Sequence, residues 1–290
     1  VQLTGGLGNQ LFQYAAAKSL SLYHNVPLLL EISSFCKTEW HELEVPREFE
    51  LHCFAGIHEE VIKSDQLASL INLGEKKGIP AKFIPAYRKT EYMEPHFHYD
   101  RNFFKSKMKV FLKGGWQSEK YFQNCKDEIR KILQPKEEYI VNVKAKADEF
   151  LKEPTVGVHI RRGDYLRKKI ILEWHGIMER DYYVRAFEQL SKSLGSFRVL
   201  YFSNDIDWVE KELQPIVKGE TITDNVSQTH VEDLYLMSCC RHNIIANSSF
   251  SWWGAWLNNN PNKIVIAPKK WFNKGPNDTQ DLIPEGWIKI

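Results

Sequence analysis

An α/β fold in two halves is expected from this chain on three grounds. Residues 1–32 run strand, glycine turn, helix, strand, a β-α-β opening. From 156 to 268 apolar strands again alternate with helical stretches, the pattern of a parallel, doubly wound sheet. Between the two series a charged helical stretch at 123–152 ends at Pro154, so the halves are placed at 1–153 and 154–290. At 290 residues the chain is long enough for two domains, and a chain of this size buries roughly three quarters of its unfolded surface without disulfide staples.

Val1 to Thr4 reads as a strand end, "GGLGNQ" as a tight loop and "LFQYAAAKSLSLYHN" as an Ala- and Leu-rich helix, followed by the buried strand "VPLLLEI" at 26–32. Helical patches are expected near 58–72, with Pro80, Pro85 and Pro95 breaking the remainder. "MKVFLKGGWQSEKYF" (108–122) reads as a strand, a glycine turn and a helix start. In the second half strands are expected at 156–160, 198–203, 220–223, 243–246 and 263–268. Helices are expected near 180–194, 207–214, 231–239 and 250–257. In the first of these strands Val156, Val158 and Ile160 share one face, and Gly157 and His159 the other.

A formal net charge of +2, with 43% hydrophobic and 26% charged residues, gives no bulk attraction to nucleic acid or an acidic membrane. Any anion must be held by a local site. No apolar run reaches the roughly 18 residues of a membrane span, and no secretory signal pattern is present. The chain opens at Val1 directly inside a strand, so a missing native start is expected, whether a few residues or a longer anchor. Cys36, Cys53, Cys125, Cys239 and Cys240 are odd in number and form no C-x-x-C pair, which fits free thiols in a reducing compartment.

In "TGGLGNQLFQYA", Gly6 and Gly8 fit the first two positions of G-x-G-x-x-G, but Leu11 stands where the third glycine belongs. Glu31 ends the next strand, where a ribose-binding acid would sit, so a nicotinamide-dependent oxidoreductase is one reading. A plain tight turn is another. A third has Gly8, Asn9 and Gln10 facing a phosphate or sugar, with the two side-chain amides bonding hydroxyls.

Arg161 and Arg162 follow a buried strand at its carboxyl end, where open α/β sheets bind ligands. A guanidinium offers parallel donors matched to phosphate oxygens, and Gly163 allows a sharp turn, so the pair suits a diphosphate. The alternative is a surface pair bridged to Asp164 and other acids. His159, on the face of Arg161, reads either as a contact to a base or ribose or as a satisfied core histidine. In "NIIANSSFSWWGAWL" (243–257), Asn247, Ser248 and Ser249 precede a helix, offering a capped N-terminus and a second anion seat. Phe250, Trp253, Trp256 and Leu257 recur at helical spacing and read as core. Asn247-Ser248-Ser249 also forms a glycosylation sequon, a poor acceptor where it caps a helix. Glu232 and Asp233 open another helix; they either complement its dipole or, at Asp233, accept two N–H bonds from a guanine edge.

Asp205-Ile206-Asp207 is a D-x-D that could hold a metal on phosphates, although the arginines already supply positive charge. His96-Phe97-His98 puts two imidazoles on one strand face, without a third ligand of clear spacing for zinc. No P-loop motif and no G-x-S-x-G elbow occurs.

Together "GGLGNQLFQYA", "GGWQSEKYF" (114–122), "HIRRGDY" (159–165), "YFSNDIDW" (201–208) and "NSSFSWWGAWL" (247–257) resemble the motif set of glycosyltransferase family 11, the α-1,2-fucosyltransferases. The resemblance runs in order from residue 4 to about 272. It implies a GT-B architecture of two Rossmann-like domains facing a central cleft, with an acceptor-side domain at 1–153 and a GDP-fucose-binding domain at 154–290. It implies inverting transfer of L-fucose from GDP-β-L-fucose to the 2-hydroxyl of a terminal galactose in an oligosaccharide, without metal or other cofactor. Arg161 matches the arginine that grips the pyrophosphate, with Arg162 structural or supporting. His159 and Asp233 match guanosine contacts, and Ser249 matches a phosphate-bound serine, beside Ser248 and Phe250. Gly8, Asn9 and Gln10 match a donor-facing loop. A cytoplasmic site of action follows, with peripheral attachment at the inner membrane as the alternative.

Two departures bear on chemistry. Ile177-Met178 replaces a small or cysteine-containing pair in a segment that could face the acceptor, and Lys169 stands eight places after Arg161, where some fucosyltransferases carry a glutamate base. The resemblance assigns no base. A carboxylate near the acceptor hydroxyl would help remove its proton, and Asp164 is the choice made, with a role in pinning one of the arginines, or a dissociative path that needs no strong base, as the alternatives. Nothing in the sequence specifies the acceptor glycan or an oligomeric state.

Overall fold

A computed structural model describes residues 1–36, 46–63, 66–67 and 84–290, with only the backbone of Asp164. The chain forms two compact units: Val1–Gln134 with Asp278–Leu282, and Pro135–Asn277 with Ile283–Ile290.

In the first unit β1 (Leu29–Glu31) pairs in parallel with β2 (Glu60–Ile62), and β3 (Glu91–Met93) with β4 (Phe111–Lys113). The opening residues join the pairs: Gln2 bridges Glu31 in parallel, and its N–H donates to the Leu112 carbonyl at 3.0 Å. The strand end expected at Val1–Thr4 therefore lies at the middle of this sheet. Glu60–Ile62, expected to be helical, is a strand: Val61 and Ile62 pair with Leu30 and Glu31. β-Branched residues fit a pleated surface. The rest of the helical expectation there, 64–65 and 68–72, falls outside the described residues.

α1 (Leu7–His24) starts earlier than expected, so Gly8, Asn9 and Gln10 form its first turn rather than a loop. Gly5 makes the turn before it, at φ 75°, and a Cβ there would lie 2.6 Å from the Asn9 side chain. The core is aromatic: Tyr92, Phe103, Trp116 and Tyr121 are fully buried, and the Trp116 and Tyr121 rings meet edge to face at 5.3 Å. Such a pair adds about 0.5–1.5 kcal/mol beyond its buried area. Trp116 itself adopts φ 53°, a strained conformation for a bulky residue. The Glu94 carboxylate holds it there, accepting the Gly115 N–H at 2.7 Å and the Trp116 N–H at 3.0 Å. α2 (Lys126–Ile132) follows.

The second unit is built on a six-stranded sheet in which every pairing is parallel. Its order is β10 (Ile288–Lys289), β9 (Val265–Ala267), β8 (His242–Ile244), β5 (Thr155–Ile160), β6 (Arg198–Ser203), β7 (Gly219–Ile222). The strands expected at 156–160, 198–203, 220–223, 243–246 and 263–268 are all present; β10 was not foreseen, being only two residues long. Helices α3 (Lys144–Phe150), α4 (Gly163–Arg167), α5 (Lys169–His175), α6 (Arg180–Ser191), α7 (His230–Cys239) and α8 (Ser249–Leu257) flank it. The helix expected near 207–214 is present as a single α-turn, Ile206–Trp208, running into a π-helical stretch, Val209–Leu213.

Alternation along the central strands covers both faces. Val156, Val158, Ile160, Val199 and Tyr201 pack against Tyr183, Phe187 and Leu190 of α6. Leu200 and Phe202 cluster instead with Leu236 and Met237 of α7. Each such apolar side chain contributes about 1.5–3 kcal/mol on burial. Ile140, Val143, Ala147 and Phe150 join this second cluster, so 135–153 packs with the C-terminal sheet rather than with the N-terminal half in which the sequence boundary had left it. An amphipathic period shows that a helix has an apolar face, not which sheet the face covers. Gly157 lets α7 approach, since a Cβ there would lie 2.9 Å from Cys240 Sγ. The five cysteines are all free, and among the described residues no helix is long and apolar enough to cross a membrane.

Candidate active site

At the carboxyl edge of the second unit's sheet, β5 turns through Arg161–Gly163 into α4. The turn is tied down by Asn204, whose Oδ1 accepts the N–H of Arg162 at 3.0 Å and of Gly163 at 3.1 Å. Gly163 must be small: an added Cβ would lie 2.8 Å from the Asn204 carbonyl oxygen. The sequence reading did not single out Asn204. Its signal is register: Ile160 pairs with Ser203, so Asn204 follows β6 as Arg161 follows β5.

The two arginines part company. Arg162 sets its guanidinium 4.3 Å from the Trp208 ring centre, with Glu179 at 3.3 Å and Asp205 at 3.4 Å, and its side chain is 11% exposed. Asp205 also accepts the Trp208 N–H at 3.2 Å. Arg162 and the first acid of the D-x-D thus hold each other. Arg161 carries its guanidinium 5.5 Å from the centre of the Tyr165 ring. Tyr165 stacks on His175 at 4.9 Å, and His175 contacts Phe272 at 5.6 Å, so the guanidinium lies beside a pile of flat groups.

β8 lies beside β5 with Val158 opposite Ile244. Both strands run in the same direction, so the chain leaving β8 after Ile244 emerges at the same sheet edge as Arg161. Asn247 is buried, donating its amide to the carbonyls of His175, Gly176 and Trp271 at 3.0, 3.2 and 3.1 Å. The sequon asparagine is therefore sealed inside the fold. Ser248 takes the N-cap position of α8 but, contrary to the capping expectation, its hydroxyl makes no cap hydrogen bond. Ser249 opens the first turn, whose N–H groups point away from the helix as anion donors.

Trp253, Trp256 and Leu257 are buried as expected, and Phe250, half-buried, packs against the edge of the cluster formed by Leu200, Phe202, Leu236 and Met237. The Phe250 ring stands 5.6 Å from His159 and 6.3 Å from His230. His159 is 5% exposed, and its backbone carbonyl accepts the Tyr183 hydroxyl at 3.1 Å. At the start of α7, Glu232 closes a capping box with Thr229. Asp233, the next residue, has its carboxyl pushed up to about 6 by burial, against the opposing pull of the Ser227 hydrogen bond and the nearby His230. His159, Phe250, His230 and Asp233 thus gather at one corner of the unit.

Other residues fall elsewhere. Asp164 lies in α4 with its side chain outside the described residues. Lys169 is 91% exposed and faces solvent, and Met178 packs against the core. In the first unit Gln10 is wholly buried, donating to the carbonyls of Gly5 and Glu48 and accepting the Glu50 N–H, so its amide serves the fold rather than a ligand. Gly8 is buried, and Asn9 accepts a hydrogen bond from Gln117 at 3.1 Å. Glu31 is 1% exposed and accepts from the Ser33 N–H and the Gln2 amide, which removes it as a ribose-binding acid.

Over residues 54–290 the chain matches the model described as Glycosyl transferase family 11. It is 30% identical to the Alpha-1,2-colitosyltransferase of Escherichia coli, covering 100% of this chain and 97% of that protein. It is also 30% identical to the O-antigen biosynthesis glycosyltransferase WbnK of Escherichia coli, over 99% of each. The fucosyltransferase NodZ from Bradyrhizobium superposes with a TM-score of 0.49 at 14% identity, covering 87% of this chain and 90% of that one. The protein is a glycosyltransferase, and the oxidoreductase reading falls away. Within that class its place is clear: the chain belongs to glycosyltransferase family 11.

Proposed function

We propose that the protein transfers L-fucose from GDP-β-L-fucose to the 2-hydroxyl of a terminal galactose, with inversion to the α-linkage. What carries this reading is the placement of Arg161 and of the α8 first turn at Ser249 on neighbouring strand ends of one sheet edge. A diphosphate seated there meets a guanidinium and a row of N–H groups. The bond from the fucosyl anomeric carbon to the β-phosphate oxygen breaks, the acceptor oxygen bonds that carbon, and the hydroxyl proton passes to a base or to water. Negative charge grows on the departing phosphate, so these fixed donors stabilise the transition state more than the ground state. Asp164 is the proposed base. Guanine lies toward His159, Phe250 and Asp233, the second unit binds the donor, and the first unit turns Gly8 and Asn9 toward that donor while serving the acceptor side. No metal is required where Arg161 supplies the charge. The acceptor is a galactose-ended oligosaccharide of an O-antigen-type glycan made in the cytoplasm, in keeping with the name of the relative WbnK.

A second reading changes only the sugar. The full-length match to an α-1,2-colitosyltransferase favours testing GDP-colitose, whose sugar is L-fucose lacking its 3-hydroxyl. A thermal-shift panel of GDP, GDP-fucose, GDP-colitose, UDP and NAD, followed by linkage analysis of the product formed on lactose, decides between them. Stabilisation by GDP compounds and an α-1,2-fucosyl product are expected. Stabilisation by UDP alone, or transfer from GDP-colitose only, overturns the fucosyl assignment.

A further inference from the structure

The sequence places His96 and His98 together without a third metal ligand; the fold provides one. Segment Asp278–Leu282 returns to the first unit after the chain has built nearly all of the second. There Asp278 Oδ2 stands 2.7 Å from His98 Nδ1, and the His96 and His98 rings lie parallel with centres 3.6 Å apart. One ligand atom from each of the three residues fits within 4.8 Å of the others. We propose that His96, His98 and Asp278 bind one zinc ion, which clips the returning segment to the first unit. This inference is independent of the sugar and acceptor proposed above.

The donor set selects the metal. Two imidazole nitrogens and one carboxylate oxygen suit zinc, whereas magnesium and calcium prefer oxygen alone. Three protein ligands leave a fourth position for water. The outer contacts are those of a metal-binding histidine: His96 Nδ1 faces the His98 carbonyl oxygen at 2.9 Å, which makes it the protonated nitrogen and leaves Nε2 as the ligand. Parallel rings aim their lone pairs side by side, so one imidazole must rotate as the ion enters. The His98–Asp278 hydrogen bond is then exchanged for coordinate bonds.

The segment is already anchored one turn further on, by Lys120 to Asp281 at 2.5 Å, Tyr99 N–H to Asp281 at 3.1 Å and the Ser118 hydroxyl to the Asp281 carbonyl at 2.7 Å. An ion at Asp278 adds a second point of attachment. Its role is to stabilise, since the ion joins the returning segment to the unit on which that segment packs.

The test uses the untagged full chain, stripped with EDTA and dialysed, then titrated with zinc chloride by calorimetry and with cobalt chloride by absorption. One zinc per chain is expected, with cobalt d–d bands, no thiolate-to-cobalt charge transfer, and a rise in Tm. The charge-transfer band separates this site from the five free cysteines. His98→Ala and the nearly isosteric Asp278→Asn should each weaken zinc at least about tenfold and abolish the rise in Tm. Absence of saturable binding, a thiolate signature, or unchanged affinity in Asp278→Asn overturns the proposal; the wild-type cobalt spectrum decides even where a variant fails to fold.

Discussion

Arg162 lies 4.3 Å from the centre of the Trp208 ring and is enclosed by Glu179 and Asp205, while its neighbour Arg161 is directed to Tyr165 at 5.5 Å. Adjacent residues leaving a strand point to opposite sides, and here that divides one dipeptide between two tasks. Arg161→Ala should lower kcat by at least about 10²-fold with little change in Tm, as loss of one preorganised donor does. Arg162→Ala should instead lower Tm, the ring contact alone contributing about 0.5–2 kcal/mol. Steady-state kinetics beside calorimetric melts separate the two, and normal turnover by Arg161→Ala would place the site elsewhere.

Asn204 is a positioning residue for Arg161. Its side chain accepts two backbone N–H groups of the turn, each bond contributing about 0.5–1.5 kcal/mol. Asn204→Ala should reduce kcat with the acceptor KM nearly unchanged, whereas Asn204→Asp, which keeps the acceptor oxygen, should recover most of the rate. Equal losses in both variants would speak for a role other than holding the turn.

Asp233 sets two opposite pH slopes. Burial raises its carboxyl from 3.8 to about 6, so its contribution to stability is fully present below pH 3.8 and lost as pH rises through about 6. Guanine binding runs the other way, because only the ionised carboxylate accepts both N–H groups of the base edge. GDP affinity should therefore fall as pH drops through about 6. Asp233→Asn should bind weakly with no such step beyond that of the nucleotide itself, as measured by calorimetric titration across this window. A wild-type affinity flat in pH would remove Asp233 from the guanine site.

Asp205 already pairs with Arg162 and caps a short helix at Trp208. EDTA should then leave initial rates of transfer unchanged, even though the zinc clip predicts a lower Tm. Abolished activity restored by manganese would shift the phosphate contact to Asp205 and Asp207.

The sheet of the second unit could be read from local pattern. Strand Thr155–Ile160 alternates as its sequence does, and the doubled arginine leaves it at the carboxyl end of the sheet, as its position after the apolar run predicts. Gly163 and the start of α8 belong to the same local code of turns and helix ends. The class of fold and the family follow from such short-range signals, because strand period, helix period and turn chemistry act over a few residues.

Only tertiary packing decided the rest. Arg162's ring partner, the placement of 135–153 on the second sheet, the burial of Gln10 under 48–50 and the meeting of His98 with Asp278, 180 residues later, all depend on which faces are covered once the chain closes. The physical reason is range. A side chain's partner across the fold is set by the sum of many burial contacts, and no pattern within reach of one residue carries that sum.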